Sequence, residues 1–555
     1  MKRRTAIAAL SLLLAARAWA GGFYQSEIGA RAIGRGGADV VNPADGYAMW
    51  RNPAALANQP GLSLDLDSAL IWFNLQFDRS APFELQDQTR DIGGYRFIMR
   101  KHQPVDPSDI GLEPTDDWRR TFEIGKYPSQ GSVQNHASPF VAACSGLFGG
   151  GFDGYGHCPA VGATLVAGER LLHVRGLTLA LGGYGPPGGS YWFWDESAAS
   201  DPSLPEAERY LDPQGRDRRF TGPQRYALID RDTLEAFYQL SAAYRINRYL
   251  AVGFGLQAIE SFMRMRVAVS ADTYGTEDIN KDVVVSINAR QAYLPNANVG
   301  FWSNPIWGLE LGGSYQLPRR VEGRGPVTVD YMAPGLSDFE VVGTPGQATV
   351  RFVMPAIARI GALYRWRPWF DVEADLVIEQ WSSWQTTRIA VEGVAMGVGG
   401  LDPIPFAPVF QPRHYQDSYS VRLGGDVDPL AAWWPGHLTL RAGYQFETSA
   451  IPAETLDTSL VDAPKHILGC GLELGYLGLR LVVAYQHSFL EEVTVDNTLI
   501  AAIAPLGDIF GYETRTAVGN GTYRASFDVL AVGLRFDFDQ TWDFFTAPAP
   551  AAATP

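Results

Sequence analysis

Long apolar runs are almost absent from this chain of 555 residues. The apolar run at residues 6–16 is much shorter than the roughly 20 residues that a membrane-spanning helix needs, which excludes a helical membrane protein. Basic residues 2–4 precede this run, and the small-x-small triplet Ala-Trp-Ala follows it at residues 18–20. This order predicts a signal peptide at residues 1–20, a mature chain from Gly21 and an exported protein.

Cysteine is also scarce, with three in the chain, so a small scaffold held by many disulfides is excluded. Cys144 and Cys158 flank a Gly-rich segment, and we predict a disulfide between them, the alternative being two unpaired thiols. Cys470 lies alone in an alternating apolar run, which is typical of a small buried or lipid-facing residue.

Motifs for catalysis and metal binding are missing as well. The eight histidines belong to no His-Glu-x-x-His pattern, and the sequence has no Gly-x-Ser-x-Gly and no Cys-x-x-Cys. A net charge of −15 argues against nucleic acid as a partner. We therefore expect a protein that is not an enzyme and that uses no metal and no cofactor.

The composition instead favours strands and turns. Aromatic residues make up 12% of the chain, glycines number 59 and charged residues amount to only 19%. No Pro/Ser-rich linker or run of charge divides the mature chain, which indicates one large unit.

Alternation with a period of two is the strongest pattern. From Leu234 to Ile246 every second residue is apolar, while Glu235, Gln239, Ser241 and Arg245 lie on the other face. After a short turn the alternation resumes over residues 250–258, which predicts a hairpin. The same pattern recurs at residues 309–316, 370–379, 438–446, 468–476 and 479–485.

Two kinds of all-β protein have such strands, a soluble sandwich or propeller and a membrane barrel. The apolar faces approach the roughly 9–11 residues of a tilted membrane strand and exceed the usual 5–6 of globular sheets. Aromatic residues also gather near strand ends, as interfacial girdles require, at Trp366/Trp369, Trp381/Trp384, Trp433/Trp434 and residues 191–194. The pattern therefore favours the membrane barrel.

A Gly-rich segment at residues 34–56 precedes the strands and closes on Asn52-Pro53-Ala54. With this segment in front, the hairpin at 240–257 and the motifs at 354–355, 363–365, 380–384, 417–424, 440–444 and 449–453 follow in order. In this arrangement the chain resembles the FadL/TodX family of outer-membrane channels for hydrophobic compounds.

This resemblance implies an all-β fold, a 14-stranded antiparallel barrel over residues 62–538 with an N-terminal plug at 21–61 in its lumen. It further implies passive, plug-gated uptake of long-chain fatty acids by lateral diffusion, in the outer membrane of a Gram-negative cell. Uptake of aromatic or aliphatic hydrocarbons is the alternative, and a surface adhesin, a receptor barrel or an outer-membrane lipase is a weaker one. Outer-membrane lipid and lipopolysaccharide are the expected neighbours of a monomer.

The resemblance also suggests residues for gating. Asn52 before Pro53 favours a turn and offers side-chain hydrogen bonds that would latch the plug to the wall, and Ala54 and Asp417 belong to the same predicted contact. The alternative is a plain turn leading into the first strand. Gly34 is assigned to a tight turn of the plug rather than to a phosphate site.

The third strand is expected to bend and leave a lateral opening at Gly182, Gly183, Gly185, Pro186 and Pro187. Prolines remove hydrogen-bond donors from the ladder and glycines permit bends. An ordinary extracellular turn has the same composition.

A fatty-acid carboxylate in a dry pocket needs a cation, because an unpaired buried charge is costly. The candidates from sequence are Arg245, Arg264, Arg266, Arg359 and Arg365. Each of them also has a simpler role as the partner of a wall carboxylate. The acids Asp371, Glu373, Asp375 and Glu379 are either this counter-charge or the lining of a wet lumen.

Two segments depart from the family pattern. Loop 78–158 is long and polar, and we expect it to form an extracellular cap or contact region. Residues 539–555 end in an Ala/Pro-rich run that predicts a flexible periplasmic tail.

Overall fold

The computed structural model describes residues 27–80, 88–92, 95–99, 131–135, 160–185, 192–195, 224–270, 282–331, 339–367, 369–398, 402–406, 408–431, 436–503 and 517–539. The predicted signal peptide, Cys144, Cys158, Pro186, Pro187, Trp433 and Trp434 lie outside these residues. So do most of loop 78–158 and the tail beyond residue 539.

Fourteen strands form the barrel wall in the described residues, and several consist of two pieces in line. They are β1 (Leu62–Arg79), β2 (Gly131–Asn135 and Ala160–Ala167), β3 (Leu177–Tyr184 and Trp192–Asp195), β4 (Asp230–Asn247), β5 (Leu250–Ser270), β6 (Asp282–Ile306), β7 (Leu309–Gln316 and Arg319–Tyr331), β8 (Gly346–Met354 and Ile357–Arg367), β9 (Phe370–Glu379 and Thr386–Glu392), β10 (Val409–Pro412 and Ser418–Val427), β11 (His437–Glu447), β12 (Lys465–Tyr476), β13 (Leu479–Leu490 and Val493–Val495) and β14 (Gly521–Asp537).

The wall is a closed ring. Strand β1 pairs antiparallel with β14 from Ser63↔Asp537 to Arg79↔Gly521, and each other strand pairs antiparallel with its neighbours along the chain. Closure satisfies the backbone groups that a sheet edge would expose to lipid. The predicted 14-stranded antiparallel barrel is therefore confirmed. Among the described residues, no helix has the length and apolarity needed to span a bilayer.

Short turns join the strands at one end of the barrel. The predicted hairpin β4–β5 turns between Asn247 and Leu250. Strands β12 and β13 turn at Leu477-Gly478, whose φ angles of 52° and 83° suit the twist of a two-residue hairpin. Short turns mark the periplasmic end of such barrels, so the opposite end with its long connections is extracellular.

Smaller elements lie outside the wall ladder. A hairpin joins Gln88–Ile92 to Tyr95–Met99, and a three-stranded sheet joins Phe339–Val342, Ala395–Val398 and Ile404–Pro405. Two 3-10 helices, Trp381–Ser383 and Ala453–Thr455, interrupt the extracellular half.

Alternation along the strands separates two environments. Leu240 and Leu256 point outward and are 55% and 54% exposed, whereas Gln239 and Gln257 point inward and are 0% and 4% exposed. The outward leucines form a lipid-facing band, as a barrel strand in a membrane requires.

The plug fills the periplasmic half of the lumen with three short helices. They are α1 (Ala30–Gly34), α2 (Ala48–Arg51) and a 3-10 helix (Pro53–Asn58), and their residues are mostly buried. A fourth short helix, α3 (Glu169–Leu172), lies in the turn between β2 and β3. Isolated helices below about 12–15 residues are marginal in water, so the plug owes its shape to the wall.

Candidate functional site

A buried arginine of the plug binds three carboxylates of the wall. Arg35 follows α1 and is completely buried. Its Nη1 lies 3.0 Å from Asp371 of β9 and 2.7 Å from Asp426 of β10, and its Nη2 lies 3.1 Å from Glu373. Charge-assisted hydrogen bonds of this kind are about twice as strong as neutral ones. The plug is thus fixed to two adjacent wall strands through one guanidinium group.

Wall carboxylates also accept hydrogen bonds from the plug backbone. The amide of Val41 donates to Glu373 at 2.6 Å and that of Val40 donates to Asp375 at 3.2 Å. On the other side of the barrel, the amide of Ala30 donates to Asp67 at 2.7 Å. The inward acids of β9 predicted from sequence therefore bind the plug, except that Glu379 accepts from Trp381 at 2.7 Å.

Further ion pairs hold the plug together and to β10. Arg51 pairs with Asp45 and lies 3.1 Å from Asp39, both within the plug. Burial raises the pKa of Asp45 above its usual value, an effect that the neighbouring Arg51 opposes. From the wall, Arg422 pairs with Glu27 of the plug. A buried ion pair contributes little net stability, but the loss of one partner leaves a costly uncompensated charge.

Glycines on the inner face let the plug backbone touch the wall. A Cβ atom on Gly443 would lie 1.8 Å from the carbonyl oxygen of Arg35, and one on Gly253 would lie 2.3 Å from the amide nitrogen of Ala54. On the plug side, a Cβ on Gly34 would lie 3.2 Å from the Cα atom of Gly471. The glycines of the alternating strands are therefore contact points for the plug as well as small lining residues.

Asn52 joins the plug to β6. Its Oδ1 accepts from the amide of Ala54 at 3.2 Å, and its Nδ2 donates to the carbonyl of Phe301 at 2.9 Å. Pro53 begins the 3-10 helix that follows. Asp417 instead accepts from the amide of Ser382 at 3.1 Å, in the extracellular half of the wall. The structure brings Asn52, Pro53 and Ala54 to the wall together but does not bring Asp417 to them.

An apolar cavity lies on the extracellular side of the plug. Met263 and Met265 of β5, Val350 and Phe352 of β8 and Ile389 of β9 supply much of its surface. Leu228, Val321 and Leu460 extend the same surface. Cavities of this kind, mostly apolar with few polar groups, are typical ligand sites.

Two tryptophans predicted to lie in an interfacial girdle belong to this interior instead. Trp381 is 0% exposed and Trp384 is 4% exposed, and the Trp384 ring stacks on Phe352 with centroids 4.6 Å apart. The prediction was wrong because the 3-10 helix Trp381–Ser383 interrupts β9 and breaks the alternation. Trp366 and Trp369, by contrast, are 59% and 46% exposed near the periplasmic turn.

Charged groups meet at one side of the cavity. Arg231 of β4 donates to the carbonyl of Ser459 at 2.7 Å, and Arg413 lies 2.9 Å from Asp457. Glu235 also lines the cavity and lies 2.6 Å from Arg319. These five charged groups comprise three arginines and two carboxylates. Sequence reasoning missed Arg231, although it lies on the same face as Glu235 and Gln239, and missed Arg413, which lies in the interruption of β10.

The five arginines predicted for a ligand carboxylate lie elsewhere. Arg245 donates to the carbonyl of Ala57 in the plug at 2.7 Å, and the guanidinium of Arg359 lies 5.2 Å from the Trp50 ring centroid. Arg365 lies 3.3 Å from Glu310, Arg266 pairs with Asp230, and Arg264 is exposed on the outer face. None of the five lines the apolar cavity.

Strand β3 carries an excess of residues where a break was predicted. Tyr184 pairs with Phe237, and Trp192 pairs with Arg231. Between these two pairs β3 has seven residues where β4 has five, and residues 186–191 lie outside the described part of the chain. Gly182 and Gly183 lie in the regular ladder before this point, and Gly185 borders a small void that also contacts Tyr47 of the plug.

These features define a plugged outer-membrane β-barrel with an apolar internal site. Residues 230–538 match the family model described as outer membrane protein transport protein (OMPP1/FadL/TodX), and the chain belongs to this family of outer-membrane transporters of hydrophobic compounds.

Solved structures share the fold. A Pseudomonas aeruginosa FadL homologue is 16% identical, with 93% of this chain and 100% of that chain covered and a TM-score of 0.63. The Pseudomonas putida toluene transporter TodX is 13% identical, with 93% and 99% covered and a TM-score of 0.56. The Ralstonia pickettii toluene transporter TbuX is 14% identical, with 93% and 100% covered and a TM-score of 0.53. No curated protein matches the chain.

The substitution Arg35→Met tests the plug contact. It leaves Asp371, Glu373 and Asp426 without their common partner, so we expect a loss of about 3–5 kcal/mol of stability and a loosened plug. The measurements are heat-modified mobility of the folded barrel and single-channel conductance in planar bilayers. Arg170→Met, at an arginine whose side chain is 64% exposed, is the matched control. A closed channel with unchanged thermal stability in Arg35→Met would contradict the assignment.

Proposed function

We propose that the protein takes up long-chain fatty acids passively, through the apolar cavity, a movable plug and a lateral opening beside β3. The observation that carries the proposal is the apolar cavity with Arg231 and Arg413 at one side. An alkyl chain gains free energy on apolar surface, and its carboxylate needs a cation where water is scarce.

The charged groups at this cavity support an anionic head group. Arg231 and Arg413 both line it and are buried, so a solute carboxylate there would meet two guanidinium groups. An arginine presents a planar fork that binds a carboxylate through two hydrogen bonds.

Uptake of aromatic hydrocarbons is the second candidate, supported by the stacked rings of Phe352 and Trp384 in the cavity wall. Aromatic rings favour offset-stacked or edge-to-face contacts with one another. Two of the similar structures are toluene transporters by name. A hydrocarbon has no charged group that would bind Arg231 or Arg413.

The charged space on the periplasmic side of the plug favours a lateral exit for the solute. The cavity on this side of the plug is lined by Arg31, Asp426, Arg441, Glu473 and Arg535. Transfer of an apolar chain into that charged space gains little free energy, because the chain meets few apolar surfaces there. The mismatch of two residues between β3 and β4, and the small void lined by both Gly185 and Tyr47, instead support an opening through the wall toward lipid.

The substitution Arg231→Met separates the two solutes. We expect apparent affinity for oleate to fall about tenfold or more, because a charged hydrogen bond is lost, and toluene uptake to be retained. The measurement is uptake of each radiolabelled solute by cells that lack their own transporter. Arg248→Met, in the exposed turn between β4 and β5, is the control. Equal loss of both solutes, or no loss of oleate uptake, would reject the carboxylate role.

A reversible disulfide tests plug gating. A Cβ at Gly34 would lie 3.2 Å from the Cα of Gly471, and a Cβ at Gly471 would lie 3.3 Å from the Cα of Gly34. This approach suits a cysteine pair Gly34→Cys/Gly471→Cys, made with the native cysteines replaced by serine. We expect oxidised cells to lose uptake and reductant to restore it, while each single cysteine variant stays active. Unimpaired uptake by the cross-linked protein would show that the plug need not move.

A further inference from the structure

An outward-facing group of arginines lies on the extracellular half of β5 to β9. We call it the arginine belt, and it comprises Arg264, Arg290, Arg320, Arg324, Arg351 and Arg388. All six are exposed. Their neighbours in sequence, Met263, Ala289, Val321, Val350 and Ile389 among them, line the internal cavity, so the arginines point away from the lumen.

The belt is continuous across the wall. Arg290 pairs in register with Arg324 on the next strand, and Arg351 pairs in register with Arg388. Arg324 and Arg351 share one acid, Glu322, at 2.5 Å and 2.9 Å.

The belt has more positive than negative charge. Arg290 pairs with Glu260, and Glu322 contacts two further arginines, so these two acids contact three of the six arginines in the described wall. Asp232 of β4 is opposite Arg264 in register, and Asp330 and Glu392 follow farther toward the loop ends of the strands. Like charges at this density repel one another unless an anion lies between them. A surplus of arginine is unexpected on a chain whose net charge is −15.

The position of the arginine belt along the barrel axis shows which layer of the membrane surrounds it. Directly below it on β4 and β6, the rings of Tyr238 and Tyr293 lie 6.4 Å apart on the outer face. Below these tyrosines follow the exposed residues Leu240, Leu256 and Phe301 of the lipid-facing band. Tyrosines at the end of such a band mark the membrane–water interface, so the belt lies at the level of the outer-leaflet head groups.

We infer that the arginine belt binds the phosphate groups of lipopolysaccharide in the outer leaflet. Guanidinium groups bind phosphate through paired hydrogen bonds, and phosphate attracts arginine strongly. The continuity of the belt with the lipid-facing band favours a lipid over a soluble anion, because acyl chains then pack on the leucines below while phosphates meet the arginines. This inference does not depend on which solute the channel carries.

The triple variant Arg264→Gln/Arg320→Gln/Arg388→Gln tests the belt and leaves the pairs with Glu260 and Glu322 intact. Its matched control is Arg170→Gln/Arg175→Gln/Arg248→Gln, which removes the same charge from exposed positions in the periplasmic turns. The purified barrels are titrated with diphosphorylated lipid A, dephosphorylated lipid A and inorganic phosphate, and bound lipid is counted by native mass spectrometry. Heat-modified mobility confirms that each variant is folded.

We expect wild type and control to bind diphosphorylated lipid A at least about tenfold more tightly than the belt variant does. Wild type should also prefer it over the dephosphorylated form by a similar factor, with the preference falling as salt rises. Equal binding by the belt variant, or no preference for phosphate, would overturn the inference. Inorganic phosphate that displaces lipid A at millimolar concentration would also overturn it, since the belt would then be a site for free anions.

Discussion

The burial of plug arginines against wall carboxylates is the interaction on which the rest of the structure depends. Arg35 meets Asp371, Glu373 and Asp426 in the middle of the lumen, where none of these charges is stable alone. The helices of the plug are too short to persist by themselves, so these contacts determine its conformation as well as its position. The same contacts allow the plug to move, because the arginines and carboxylates can be hydrated by water in the lumen once they separate.

The plug also divides the lumen into two chemically different spaces. The extracellular space is apolar, with a few arginines and acids at one side, and the periplasmic space is charged. A hydrophobic solute therefore has a favourable site on one side of the plug and an unfavourable route straight through. Between its pairs with Phe237 and Arg231, β3 has two more residues than β4, and a sideways route would leave at this point of the wall.

Much of the fold could be predicted from sequence because barrel strands follow a simple rule. The alternation from Leu234 to Ile246 places Leu240 in lipid and Gln239 in the lumen, as the structure confirms. The functional site was harder to predict. The alternation along the strand shows that Asp371 faces the lumen, but it does not show whether a ligand, water or the plug contacts this side chain. Trp381 and Trp384 were misplaced because a 3-10 helix shifts their faces, and Arg413 was missed for a similar interruption in β10. Contacts between segments hundreds of residues apart, such as Arg35 with Asp426, leave no local pattern.

Hydrogen exchange of the plug amides reports directly on the contacts between plug and wall. The amides of Ala30, Val40, Val41 and Gly46 donate to wall carboxylates and are buried. We predict slow exchange at these four amides in the resting barrel and faster exchange when a transported solute is added, because the plug must then leave its carboxylates. Exchange at rest as fast as that of an exposed loop would show that the wall carboxylates do not hold the plug, and protection that does not change with solute would show that the plug does not move.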